Sequence, residues 1–250
     1  MRRIFRWFFL ITLGLLVGLV LYEGVMFVRV MMLRSRNPSS TSLIDTRIKE
    51  AKAKGQQPRR DQTWVPLERI SANLQRAVLA GEDTNFLTHH GFDYEALQKA
   101  FEQAQREAAR EAKAEGEDDD WLPNLPEFKR GGSTISQQLA KNLYLSSERS
   151  FLRKGQEAAL TIMLERTLTK RRILEIYLNV IEWGDGVYGA EAASQRYFRK
   201  PASALSATEA AYLSAMIPNP RTVFNPQVNP RRVARRQRII LRGMPYIKLP

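Results

Sequence analysis

LTIMLERTLTKRRILEIYLNVI, residues 160–181, decides the fold class. Leu160, Met163, Leu164, Thr167 and Leu168 recur at intervals of one, three and four. After a short polar break Ile173, Leu174, Ile176, Tyr177, Val180 and Ile181 do the same. That spacing gathers side chains on one face of an α-helix, whereas a half-buried strand needs strict alternation. Upstream, Ile70, Leu74, Val78 and Leu79 repeat the helical pattern, and no period-two run of comparable length occurs. The expected fold is all-α. Ser206 followed three residues later by Glu209 is a capping-box signal ahead of AAYLSAMI, with Pro218 as the stop. Thr134 with Gln137 is a weaker form of it, after Gly131 and Gly132.

The 250 residues, 44% hydrophobic, suffice for one sizeable domain plus a membrane element. A net charge of +13 favours a polyanionic partner: nucleic acid, an acidic membrane surface or a phosphorylated substrate. The absence of cysteine excludes disulfides, thiolate metal sites and a cysteine nucleophile, and leaves the redox compartment open.

Arg2, Arg3 and Arg6 precede the apolar run WFFLITLGLLVGLVLY (7–22), which EGVMFVRVMML extends to Leu33. About 20 such residues cross roughly 30 Å of hydrocarbon. Trp7 and Tyr22 bracket the run as interfacial aromatics do, and no small-residue cleavage site follows it. The expected layout is a cytoplasmic tail (1–6), a transmembrane anchor (7–33), a polar basic linker (34–63) with room for one short helix, and a domain from Trp64 to residue 228. A short tail ahead of a first helix stays in the cytoplasm, so the domain is expected outside, although Arg29, Arg34 and Arg36 rival the N-terminal arginines. The acidic stretch around 106–127 reads as an exposed insertion. The basic stretch 229–250, beginning NPRRVARRQRIILRG, reads as a helix or tail facing solvent or membrane.

In LAGEDTNFLTHHGFD (79–93), Glu82 ends an apolar helical pattern just ahead of Phe86. Its carboxylate opposes the helix dipole, which suits either an exposed helix end or a carboxyl at a cleft rim, made basic by apolar walls. Glu157 lies four residues after Arg153, the spacing of an ordinary surface pair. Around GGSTISQQLAKN (131–142), Lys141, Arg149, Arg153 and Lys154 form a cluster suited to phosphate oxygens. Neither a Walker-type nor a dinucleotide-binding glycine pattern is present. His89 and His90 are adjacent and point apart, so a two-histidine metal site is not expected.

Taken in order, Glu82-Asp83-x-x-Phe86-x-x-His89-x-Gly91-x-Asp93, GGSTISQQLAKN (131–142), RKGQE (153–157), KRRILEIYLN (170–179) and GVYGAEAASQRYF (186–198) resemble the five motifs of the peptidoglycan glycosyltransferase family. This lysozyme-like domain, with a larger head and a smaller jaw lobe, also occurs in bifunctional penicillin-binding proteins. The resemblance covers about residues 64–225, and the chain follows the monofunctional pattern. It implies inverting glycosyl transfer that polymerises lipid II and releases undecaprenyl diphosphate. Glu82 would be the base and Glu157 the second essential acid. Lys141, Arg149, Arg153 and Lys154 would hold the diphosphate, and Ser133, Thr134 and Gln137 would line the cleft. A divalent cation (Mg or Mn) held by Glu82 or Glu157 with the diphosphate fits the resemblance, which implies no organic cofactor. The implied partners are lipid II, the growing glycan strand, the membrane and cell-division or wall-synthesis proteins, with no nucleic acid. The implied location is the inner membrane, with the catalytic domain on the periplasmic side. Two departures stand out: stretch 106–127 is longer than the family's spacing and falls in the jaw, and Gln156 replaces a lysine found in some members.

Overall fold

The computed structural model describes residues 2–99, 101, 102, 105, 106, 132–146 and 150–250. Almost all of the 106–127 stretch, and Arg149, lie outside the described residues. The chain forms α1 (Arg2–Met32), α2 (Ser42–Ala53), β1 (Asp61–Gln62), α3 (Ala72–Glu82) and α4, described over 94–99. There follow α5 (Ile135–Tyr144), α6 (Phe151–Thr167), α7 (Lys170–Val180), β2 (Glu182–Gly184), β3 (Val187–Tyr188), α8 (Ala190–Phe198), α9 (Ala207–Met216) and α10 (Pro230–Gly243). The decisive 160–181 stretch is the second half of α6 followed by α7, and the polar break between them is the cap Thr169, whose hydroxyl accepts from the Arg172 N–H.

The sequence-marked starts recur as capping boxes, Thr134 with Gln137 on α5 and Ser206 with Glu209 on α9. Each satisfies first-turn donors that a helix cannot satisfy itself. The apolar faces of α3, α5, α7, α9 and α10 close over one core around Trp183, Tyr177, Leu74, Leu139 and Leu160. A small sheet joins the helices in the order β1-β3-β2, with β1 parallel and β2 antiparallel to β3. Its strands of two and three residues are too short to leave an alternating signature.

The N-terminal helix is longer at its start than the expected 7–33, because the three arginines continue it. Its 31 residues span roughly 46 Å, and it is long and apolar enough to cross a membrane. Its C-terminal end joins the domain: Val30 and Leu33 are buried, Arg29 lies over the Tyr144 ring at 5.1 Å, and the helix packs on α6. The junction is fastened by Arg172, which donates to the carbonyls of Leu33 (2.8 Å) and Arg36 (3.0 Å) and to Asn37 Oδ1 (2.8 Å), with its guanidinium 5.6 Å from the Trp64 ring centre. Residues 34–63, expected as a linker, belong in part to the folded body. In α2, which packs on α5, Ile44 is buried and Arg47 pairs with Glu182 at 3.0 Å.

Asn179 closes the domain's start onto α7. Its amide exchanges two 2.9 Å hydrogen bonds with the Val65 backbone. Gly189, ahead of α8, has φ +82°, and a Cβ there would stand 2.7 Å from the Asn179 carbonyl oxygen. Gly189→Ala should therefore destabilise by at least about 1–3 kcal/mol from backbone strain. Chemical unfolding is the check, and unchanged stability would contradict this account of the turn.

Candidate active site

α3 ends at Glu82, and the chain turns sharply there. The side chain is 7% exposed, and both oxygens are held. Gln138 Nε2 on α5 donates to Oε2 at 3.0 Å, and Arg236 Nη2 on α10 donates to Oε1 at 2.7 Å. The hydroxyl of buried Tyr177 on α7 donates to Gln138 Oε1 at 2.8 Å, which fixes the amide so that its N–H faces the carboxylate. Burial raises the Glu82 carboxyl above its ordinary range, with Arg236 and Gln138 opposing and Asp83 adding to the rise. Burial likewise pushes the Tyr177 phenol well above its usual value, so it stays a donor.

The rest of the first motif builds the platform. Asp83 is buried, and its carboxylate accepts from the Ile135 N–H at 2.9 Å, at the start of α5, and from His89 Nε2 at 2.9 Å. An anion at that helix end also suits the dipole. The Gly91 N–H donates to His89 Nδ1 at 3.1 Å, so the ring carries its proton on Nε2 and bridges loop and helix. Gly91 itself has φ +98°, and a Cβ there would lie 2.8 Å from Thr161 Cγ2 on α6. The Gly91 carbonyl accepts from Thr134 Oγ1 at 2.7 Å, and Phe86 packs under the Lys170 ammonium at 4.6 Å.

Glu82 faces a cleft of about 520 Å³ whose walls include Ser133, Gln138, Lys141, Arg153 and Tyr177, together with Arg47, Glu182 and Arg221. A second hollow of about 160 Å³ also reaches Glu82, lined by Asp83, Ser133 and Thr134 among others. Lys141 is lowered by desolvation, with Arg153 and Lys154 adding and Glu157 and Glu82 opposing. The cleft thus brings the buried carboxylates of Glu82 and Glu182 together with the cations Lys141, Arg153, Arg47 and Arg221.

Four of the expected residues, Glu82, Ser133, Lys141 and Arg153, share that cleft. Glu157 stands behind its wall. The carboxylate is buried, and it accepts from Arg153 Nη1 at 2.7 Å and from Lys154 Nζ, so the Arg153–Glu157 pair that its spacing marked as a surface feature is largely interior, while Lys154 reaches the same carboxylate from an exposed position outside the cleft lining. Gln137 does not line the cleft: its Oε1 accepts from the Thr134 N–H at 3.0 Å in the capping box. Thr134 borders only the smaller hollow. Among the described residues no three His, Asp or Glu side chains could hold a metal ion together. Each oxygen of Glu82 and Glu157 already accepts from an arginine, lysine or glutamine donor.

Three residues that build the site around Glu82 went unread as such in the sequence, Tyr177 because it counted only as an apolar position of its helix. Gln138 adjoins Gln137; once Thr134 caps α5 and takes up Gln137, the next residue turns towards α3. Arg236 sits in the basic stretch read as solvated or membrane-facing, yet it falls between the buried Val233 and Ile240, three and four residues away, on the face of α10 that meets α3 and α9. That phase was the available signal.

The transglycosylase family model matches residues 48–116 and 121–245, including the second half of α2 and all of α10. The chain belongs to the transglycosylase family. It is accordingly an enzyme that transfers glycosyl groups. Relatives named biosynthetic peptidoglycan transglycosylase include one from Thiobacillus denitrificans, 44% identical over the whole of both chains. One from Aromatoleum aromaticum is 45% identical over 96% of each, and one from Herminiimonas arsenicoxydans is 42% identical over all of this chain and 99% of its own. The internal break between the two matched spans, residues 117–120, lies in the acidic stretch that departs from the family spacing.

Proposed function

We propose that this transglycosylase polymerises lipid II into the glycan strands of peptidoglycan. The observation that carries the reading is the buried carboxylate of Glu82 on the same cleft as Lys141 and Arg153. Glu82 takes the proton from the 4-hydroxyl of the acceptor's N-acetylglucosamine. The freed oxygen forms a bond to the anomeric carbon of the donor's N-acetylmuramic acid from the face opposite the diphosphate. The bond to undecaprenyl diphosphate breaks with its electron pair, and the configuration inverts. Lys141 and Arg153 neutralise the charge that develops on the leaving oxygens, so no separate general acid is required. Glu157 acts through Arg153 and Lys154 as a positioning residue, and Tyr177 and Gln138 aim the base.

The N-terminal helix is read as an uncleaved, single-pass anchor in the inner membrane, with the domain on its outer side. Both substrates carry a long lipid, so confinement to the same bilayer raises their effective concentration at the cleft.

The test is incubation of the purified full-length protein with lipid II and, separately, with cell-wall sacculi. Glycan polymer from lipid II is expected. Soluble muropeptides from sacculi, with no polymer from lipid II, would overturn the reading in favour of a lytic enzyme. Lys141→Ala should also raise KM for lipid II about 10- to 100-fold, because it removes a charge-assisted contact of roughly 1.5–3 kcal/mol. An unchanged KM would remove Lys141 from the diphosphate site.

A further inference from the structure

Arg236 occupies a position that stability alone does not explain. One nitrogen, Nη2, reaches both Glu82 Oε1 at 2.7 Å and the Gly81 carbonyl at 2.8 Å, the last turn of α3. The guanidinium lies 5.5 Å from the centre of the Phe224 ring, and its Nε is buried without a hydrogen-bond partner. A partly buried cation with an unpaired interior nitrogen is unfavourable unless something nearby needs its charge. Two things here do: the carboxylate of Glu82 and the negative end of the α3 dipole, which otherwise act against each other.

We propose that Arg236 is a positioning residue for the transfer reaction, holding Glu82 ionised and aimed into the cleft, so that the C-terminal helix is a working part of the active site. The inference rests on the reading of Glu82 as base. The other groups facing Glu82 do not replace Arg236. Asp83, next in the chain, adds a like charge. From α5 come the neutral amide of Gln138 and, further off, Lys141, itself shared with Glu157. From α7 comes the phenol of Tyr177, and α9 meets α3 here through the neutral Ser214. Among the described residues Arg236 makes the one ion pair of Glu82. Without it, a carboxyl this buried would hold its proton to higher pH and could not accept another.

The test is the pH dependence of lipid II polymerisation by the full-length enzyme and its Arg236→Gln, Arg236→Lys and Glu82→Gln variants, with thermal unfolding of each. Arg236→Gln is expected to move the acidic limb of the kcat profile upward by roughly one unit or more. Its rate should fall about ten-fold at a pH on the wild-type plateau just above that limb, recover at higher pH, and leave KM within about two-fold. Arg236→Lys keeps the charge and should hold the limb near its wild-type place; it carries the test if the glutamine variant does not fold. A limb that stays put in Arg236→Gln, an effect mainly on KM, or a loss in Arg236→Lys that is equal at every pH would overturn the proposal. Near-normal polymer from Glu82→Gln would instead overturn the base assignment, a separately visible failure.

Discussion

Glu82→Gln is expected to reduce polymerisation of lipid II by roughly 10²- to 10⁴-fold in kcat, the range a positioned general base contributes. The amide is almost the same size as the carboxylate, and its oxygen can still accept from Arg236 Nη2, which now bonds Glu82 Oε1 at 2.7 Å. The fold should therefore survive while the proton acceptor disappears. Initial rates on purified lipid II, with a circular dichroism melt of the same sample, make the comparison. Rates near those of the wild type in a folded variant would sink the assignment. The buried carboxyl is already raised by desolvation, which places it closer to working pH than a solvated glutamate and makes it a stronger base once ionised.

Asp83→Ala should be the most damaging substitution to the structure around the site. It leaves two buried donors without acceptors, the Ile135 N–H and His89 Nε2–H, each now bonded at 2.9 Å. At roughly 1–3 kcal/mol per orphaned donor, the loss is about 2–6 kcal/mol. It should also loosen the joint that sets Glu82 at the end of α3 against Gln138 on α5, so activity falls with stability. Denaturant unfolding gives the first quantity, and a change below about 1 kcal/mol would show that water replaces the carboxylate at these donors.

What could be read in advance follows from the range of the forces involved. Helices and caps are local. Periodicity over 160–181 needs nothing beyond its own turns, and the two capping boxes need only three-residue spacing. The site is not local. Glu82 at a helix end, taken alone, was no better than an ordinary surface acid, and ordered motifs far downstream gave it its role. Arg153 and Glu157 show the same spacing whether exposed or interior, and only the packing of α1 and α5 on α6 makes theirs interior. Arg236 is one of six arginines in α10, and only the helix phase between Val233 and Ile240 separates it from the rest. The sheet was invisible because its strands are too short to alternate.

The clamp at Arg172 has a kinetic meaning. A domain on a slack tether would tumble above the bilayer, and each lipid-borne sugar arriving by lateral diffusion would meet the cleft in a random attitude. With Arg172 bonded to the Leu33 and Arg36 carbonyls, the N-terminal helix proposed above as the anchor and the catalytic body turn as one object. For a helix that spans the bilayer as proposed, rotation would then be confined to the axis normal to the sheet of lipid, and the height of the cleft above the headgroups would be a property of the fold. The orientational entropy that a productive encounter would otherwise lose is given up once, when the protein folds.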